Sequence, residues 1–499
     1  MNLLRPVVAL FTIVFAFATV GVRAQALPRA TPEAQGVSSA ALLALLDEAG
    51  AKIDSLHSVM IVRRGHVIAE GWWAPYAAEE PHQMFSLSKS FTSTAVGLAI
   101  AEGKFSVEDP VLKFFPDEAP AQPSANLRAM RVRDLLTMST GHHNEDLQGF
   151  PYNSDESVVK KFLALPVTHK PGTFFVYNTP ATYMLSAIVQ KTTGQTVLDY
   201  LRPRLFATLG IADPTWEASK QGVSMGGFGL SIRTEDIAKF GQLYLQKGKW
   251  NGKQLVPAAW TETATSRWMS NGSNPASDWE QGYGFQFWRC RHGAIRGDGA
   301  HGQFCVVLAE QDTVVAITAG TRDLQGVLNV LWAKLLPALA GKSALPADAA
   351  AHAKLKAKLA SLSLKHPVAI ATPSLAREIA DRRYVFPSNP LGIESVSFEG
   401  SADDARATRL TTVVAGRQER INLAPGEWER GEVAQGPTAG VVALSGAWTA
   451  SDTYTLDLVR YRTPFVLRHR LKFKGDEVLL TIETNVGGAA SPALVGRRE

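Results

Sequence analysis

Near residue 340 the sequence changes character, and that change limits what the chain can fold into. Upstream, helical and strand patterns alternate among many glycines. From about Pro367 onward only short β-rich runs remain, at Ser395 to Phe398, Thr411 to Val414, Thr453 to Arg460, Phe465 to Leu471 and Val478 to Thr484. Between these regions, Ala340-Gly341-Lys342-Ser343-Ala344-Leu345-Pro346 breaks the pattern. An alanine-rich, lysine-dotted run from Ala347 to Leu362 follows, expected to be a connecting helix, with disorder as the alternative. A chain of 499 residues has room for two domains, so the expected division is 25–340, a linker or helix at 341–366, and an all-β domain at 367–499.

Within the first domain, Val59-Met60-Ile61-Val62 and His66-Val67-Ile68-Ala69 flank a turn at Arg63-Arg64-Gly65 and read as a β-hairpin. At the other end, Tyr283 to Arg289, Gln303 to Leu308 and Thr313 to Ile317 read as strands. An amphipathic helix through Val327, Leu328, Val330, Leu331 and Leu335 follows them. Strands at both ends with helical material between them predict an α+β domain whose antiparallel sheet is closed by the two termini of the domain. The repeated strand-helix alternation of a parallel doubly wound sheet is missing.

Met1 to Ala24 has the form of a secretory signal: Arg5, an apolar run from Val7 to Val20, and Val22-Arg23-Ala24 as a cleavage site. The expectation is an exported protein, periplasmic or secreted, with no stable membrane insertion after cleavage. Loss of Arg5 and Arg23 removes two of the five net positive charges. The remaining bias is too small for nucleic acid, and no basic block or zinc-finger spacing supports one.

Chemistry enters at Met84-Phe85-Ser86-Leu87-Ser88-Lys89-Ser90, at the start of a helical run that continues through Ala95, Val96, Leu98 and Ala99 to Gly103. Residues three apart on a helix share a face, so the Ser86 hydroxyl and the Lys89 amine can meet. A lysine held in a partly dry site sheds its proton more easily and can activate a hydroxyl for acyl transfer. Further along come Asp134 to His142, ending in a turn; Tyr177 in Pro171-Gly172-Thr173-Phe174-Phe175-Val176-Tyr177-Asn178-Thr179; and Gly226-Gly227-Phe228-Gly229. Gly299-Ala300-His301-Gly302-Gln303 then leads into an apolar strand.

Taken in order, these elements resemble the serine β-lactamase-related superfamily on its class C side, which also holds D-aminopeptidases, DD-peptidases, carboxylesterases and 6-aminohexanoate-oligomer hydrolases. The likeness covers roughly residues 35 to 338. It implies a β-lactamase/transpeptidase-like domain, an antiparallel sheet flanked by helices with a helical subdomain, and no cofactor. It implies Ser86 as the acylated nucleophile, Lys89 as holder of its proton, and Tyr177 as the tyrosine of a Tyr-x-Asn element whose third position here is Thr179, with Asn178 one residue early. The family's Lys-Thr-Gly element, which lies on the edge strand, corresponds to Ala300-His301-Gly302, with His301 and Gly302 beside substrate and the lysine absent. The backbone N–H groups of Ser86 and Gln303 would form the oxyanion hole.

Rival signals carry less. Gly222-Val223-Ser224-Met225-Gly226 matches a nucleophile elbow in letters, but such an elbow needs a buried strand before it and a helix after it. His142, His143 and Glu145 do not complete a metal set, and no metal is expected. Asp298 and Glu145 could tune the site. Trp72, Trp73, Phe150, Tyr152, Tyr283 and Trp288 could line a cleft or simply pack. Cys290 and Cys305 lie on strands that, if hairpin neighbours, could form a disulfide; two buried thiols are the equal alternative. The expected activity is hydrolysis of a small ester, amide or short peptide through an acyl-enzyme. β-Lactamase or D-amino-acid/peptidoglycan peptidase activity is the second enzymatic reading, and a non-catalytic, penicillin-binding-like protein the third.

Overall fold

The computed structural model describes residues 26–144, 147–341, 343–400, 408–433, 440–487 and 492–499. The proposed signal segment, residues 1–24, and Glu145 lie outside the described residues.

The first domain is built on a six-stranded antiparallel sheet. Its strands are β1 (Leu56–Arg63), β2 (His66–Trp72), β3 (Trp288–Arg289), β4 (Ile295–Gly299), β5 (Gln303–Leu308) and β6 (Thr313–Ala319), in the order β2-β1-β6-β5-β4-β3. The first and last strands pair antiparallel, from Leu56 opposite Ala319 to Arg63 opposite Thr313, so the two ends of the domain close one sheet. The β1–β2 turn places Arg64 and Gly65 at φ 51 and 76, the consecutive left-handed residues of a tight hairpin.

Helices cover both faces, so strand residues of both parities are apolar. Met60 and Val62 point into one core with α2 (Ser88–Ala101), α3 (Thr179–Thr193) and α4 (Thr234–Leu245). Val59 and Ile61 point into the other, with α1 (Ser39–Lys52) and α5 (Leu324–Val330). The segment after residue 340 is held against the domain: α6 (Ala349–Ala360) packs on α1 and β2, with Leu355 buried.

The C-terminal part is one ten-stranded antiparallel sheet: β7 (Arg383–Val385), β8 (Ile393–Gly400), β9 (Thr408–Val414), β10 (Arg417–Leu423), β11 (Glu429–Val433), β12 (Gly440–Ala450), β13 (Thr453–Val459), β14 (Val466–Lys474), β15 (Glu477–Thr484) and β16 (Leu494–Arg498). The order β10-β9-β8-β7-β16-β15-β14-β13-β12-β11 brings the edge strands β10 and β11 into contact, a near-closed barrel. Ala443, Val459 and Tyr461 share a core with Trp73, Tyr76 and Leu364, fixing the barrel to the first domain. Among the described residues no helix is long and apolar enough to cross a membrane.

Candidate active site

Three elements of the first domain meet at Ser86. A short strand, His82–Gln83, pairs with Leu230–Ile232, and Met84 N–H donates to Leu230 O at 2.8 Å, anchoring the approach. The chain then makes a 3-10 turn at Phe85–Leu87 and enters α2. Phe85 takes φ 48, a left-handed conformation that costs a non-glycine residue about 1–3 kcal/mol. Ser88 Oγ donates to the Phe85 carbonyl at 2.6 Å, and the Phe85 ring meets those of His301 and Phe465 at 5.1 and 6.2 Å. The strained residue immediately precedes Ser86, which is half-buried.

One turn on, Lys89 is buried in the first turn of α2. Its Nζ donates to Ser86 Oγ at 3.0 Å, Thr179 Oγ1 at 3.1 Å and the Gly227 carbonyl at 2.8 Å. Burial brings its pKa down to about 7, outweighing the opposing field of Asp298. When the amine is neutral, Thr179 and Gly227 can take its two protons, which leaves the lone pair for Ser86. Gly227 cannot be larger: a Cβ there would stand 2.8 Å from Thr179 Cγ2 and 3.4 Å from Lys89 Nζ.

Tyr177 lies just before α3, its ring 4.9 Å from Lys89 Nζ and stacked on Trp288 at 5.4 Å. Burial, then Asp298, pushes its hydroxyl pKa up, while the Ser86 side chain and Arg296 work against the shift. Tyr177 is therefore a neutral phenol at pH 7. Asn178 does not face the site. It caps α3 by accepting from Ala181 N–H at 2.9 Å and donates to Thr140 Oγ1 at 3.0 Å. Thr179 alone turns toward Lys89.

The strand beside Ser86 differs from the expectation. Ala300-His301-Gly302 is the β4–β5 turn, with His301 at φ 69 and Gly302 at φ 99, rather than a strand element. The segment against the nucleophile is the end of β4. A Cβ on Gly299 would overlap the Met84 carbonyl and stand 3.1 Å from Ser86 N. Gln303 begins β5 opposite Gly299, and its side chain donates to the Ala300 and Ala319 carbonyls at 3.1 and 2.8 Å. Letters alone could not separate the turn from the strand, because glycines stand at 297, 299 and 302.

Asp298 lies on this strand, immediately before Gly299. It accepts from Arg296 Nε at 2.9 Å. Arg296 is fully buried, lies over Trp279 and Trp288 at 4.3 and 5.3 Å, and also donates to Cys290 Sγ at 3.0 Å. Asp298, named from the sequence as a residue that could tune the site, does act on Lys89 and Tyr177; Gly227, Arg296 and Phe465 were not singled out, and of these only Gly227 had a signal, the glycine-rich run at 226–229.

Cys290 and Cys305 are free, buried thiols. Strand β4 runs between them and they enter opposite cores, so they are not hairpin neighbours and no disulfide joins them. Ser224 sits in a loop bridged to Ala218, without the strand and helix of an elbow. His142 Nδ1 bonds Thr140 Oγ1 at 2.9 Å, and no metal-ligand cluster occurs among the described residues. Tyr283 and Trp288 pack behind Tyr177, and Tyr152 meets Phe228, whereas Trp73 belongs to the core away from the site.

Comparison with known proteins gives a consistent picture. The β-lactamase family model matches residues 37–334. A 6-aminohexanoate-dimer hydrolase of Paenarthrobacter ureafaciens is 25% identical over 283 residues, 51% of this chain and 70% of that protein. A lovastatin esterase of Penicillium rubens is 27% identical over 113 residues, 21% of this chain and 28% of that protein. The crystal structure of a candidate β-lactamase from Bacteroides dorei superposes with a TM-score of 0.50 at 15% identity, covering 59% of this chain and 98% of that one, a likeness of fold.

Proposed function

The chain belongs to the β-lactamase family, whose fold supports acyl-enzyme chemistry, and on that premise we propose that it is a serine hydrolase of small esters or amides. The observation that carries this reading is the bond between Lys89 Nζ and Ser86 Oγ at 3.0 Å, made by an amine whose pKa burial brings to about 7.

In the proposed cycle, Ser86 Oγ attacks the carbonyl carbon while its proton passes to neutral Lys89. The carbonyl π pair moves onto oxygen and is met by the Ser86 N–H. A second N–H comes from the Gly299–Ala300 end of β4, which lies against Ser86, in place of Gln303. As the pair returns, the bond to the alcohol or amine breaks. The leaving group takes a proton through the Tyr177 hydroxyl, which is reprotonated from Lys89. Water then attacks the acyl-Ser86 ester by the same route, releasing the acid and restoring the serine.

The charge at β4 supports neutral substrates. The one cation of β4, Arg296, is paired with Asp298, so this strand offers no unmatched positive charge to a substrate carboxylate. That ranks esters and simple amides above β-lactams and peptides ending in a free carboxylate. The two relatives, a 6-aminohexanoate-dimer hydrolase and a lovastatin esterase, are in keeping with this range. The signal-like sequence at 1–24 supports work outside the cytoplasm as part of this proposal.

The test is hydrolysis of nitrophenyl esters of increasing acyl length beside a chromogenic cephalosporin, with Ser86→Ala as control. Ester turnover lost in the variant is the expected result. Fast cephalosporin turnover would overturn the substrate ranking, and ester turnover surviving in Ser86→Ala would overturn the mechanism.

A further inference from the structure

The two ends of the C-terminal barrel are filled differently. At one end Tyr384, Phe398, Trp448, Tyr454 and Phe473 pack ring on ring, with centroids 5.3 to 6.4 Å apart. At the other end the inward positions carry aliphatic side chains, among them Ile393, Val414, Leu458 and Ile482. They surround a cavity of about 320 Å³. A barrel of ten strands is too wide for aliphatic side chains to fill, so a void at the aliphatic end follows from the choice of residues.

This void has polar features in defined places. His469 lines it with Nδ1 buried and without a hydrogen-bond partner among the described residues. Burial lowers its pKa to about 4, so a neutral imidazole faces the space. Arg417 and Glu419 lie at the rim, where β10 begins. A second cavity of about 500 Å³ occupies the seam between β10 and β11, where the sheet is not hydrogen-bonded shut. Glu419, Ile421, Val433 and Leu444 line both spaces, so the seam adjoins the interior.

We propose that the barrel is a second binding site, separate from Ser86, which takes a single-chain aliphatic molecule with one uncharged polar end through the β10–β11 seam. At roughly 30 Å³ per heavy atom the cavity holds about ten of them, a medium-length chain. The tail replaces the missing core at the aliphatic end, and the polar end meets His469 Nδ1. An apolar void of this size would otherwise forfeit the contacts that close packing supplies.

The test uses the full-length protein. N-phenyl-1-naphthylamine, which is larger than the interior cavity alone and would extend into the adjoining seam, reports occupancy by fluorescence, and decan-1-ol is the competitor. One equivalent of dye should bind and decanol should displace it. Leu456→Trp and Leu480→Trp, which fill the cavity, should each weaken decanol by about tenfold or more, the effect of denying burial to roughly two methylenes. Nitrophenyl ester hydrolysis should be unchanged in both. His469→Leu should weaken decanol but not decane. Absence of dye binding, or binding indifferent to both filling variants, would overturn the proposal. Should the filled barrels not fold, wild-type crystals soaked in 10-bromodecan-1-ol decide it: an anomalous bromine peak inside the barrel supports the site, and its absence there refutes it.

Discussion

Phe465, from the loop between β13 and β14 of the barrel, meets the ring of Phe85 edge-on at 6.2 Å, directly beside the residue that presents Ser86. The same loop accepts Gln83 N–H at Arg462 O at 2.8 Å, accepts the Tyr76 hydroxyl at Thr463 O at 3.0 Å, and pairs Arg462 with Glu80 at 2.7 Å. The second domain thus braces the strained approach to the nucleophile. Phe465→Ala is expected to lower kcat/KM for nitrophenyl esters roughly ten- to a hundredfold through misplacement of Ser86, with little loss of stability. Equal kcat/KM in wild type and variant would show that the brace has no catalytic effect.

The Lys89 mechanism fixes the sign of the pH dependence. Ester hydrolysis requires neutral Lys89, so kcat/KM should fall as pH drops through about 7. Asp298 favours the charged amine; Asp298→Asn should therefore move this limb to lower pH. A limb that moves upward, or that is missing near 7, contradicts the assignment.

Replacing the amine tests it differently. Lys89→Met should cost about 10²–10⁴ in kcat/KM, the usual worth of a positioned proton acceptor. Lys89→Arg should not restore activity, because a guanidinium keeps its proton. Rescue by arginine would mean that charge alone is needed.

Gly299→Ala places a methyl group against the Met84 carbonyl and Ser86 N. The expected result is a destabilisation of about 1–3 kcal/mol in urea unfolding, accompanied by slower ester turnover. A stable, fully active variant would show that β4 does not press on the nucleophile.

Buried histidines give an acid-sensitive fold. His57 Nδ1 and His82 Nε2 bond at 3.0 Å, and His57 stacks on Tyr76 at 3.8 Å. Burial depresses both pKa values, that of His82 from 6.5 to about 4, as it does for His469. Groups depressed in the folded state bind protons more readily when unfolded, so their contribution is complete above 6.5 and is lost as pH falls toward 4. The urea midpoint should decline across that window. His82→Gln should flatten the decline, and an unchanged slope would remove the dyad from the account.

What the sequence made legible follows from range. The β1–β2 hairpin and the Ser86–Lys89 spacing are local patterns, with periods of two and about 3.6, and they could be read directly. The barrel runs at Thr453, Phe465 and Val478 were legible for the same reason. Strand β12 was not, because Ala443, Gly446 and Ala447 blur its alternation. The shift of the third element from the 300–302 turn to the end of β4 depended on where a strand stops among glycines. The field of Asp298 on Tyr177 and the packing of Phe465 against Phe85 join residues far apart in the chain, which no local pattern encodes. The cysteines were left open between a disulfide and two buried thiols for the same reason: the strand between them is apparent only in the folded sheet.

The most direct measurement is mass spectrometry of the wild-type protein quenched during turnover of a nitrophenyl ester, followed by peptide mapping. The account predicts one acyl group added to the peptide containing Ser86, absent from Ser86→Ala, which also fails to turn over the ester. An acyl group mapped to another residue, Ser224 included, or undiminished turnover in Ser86→Ala, would contradict it.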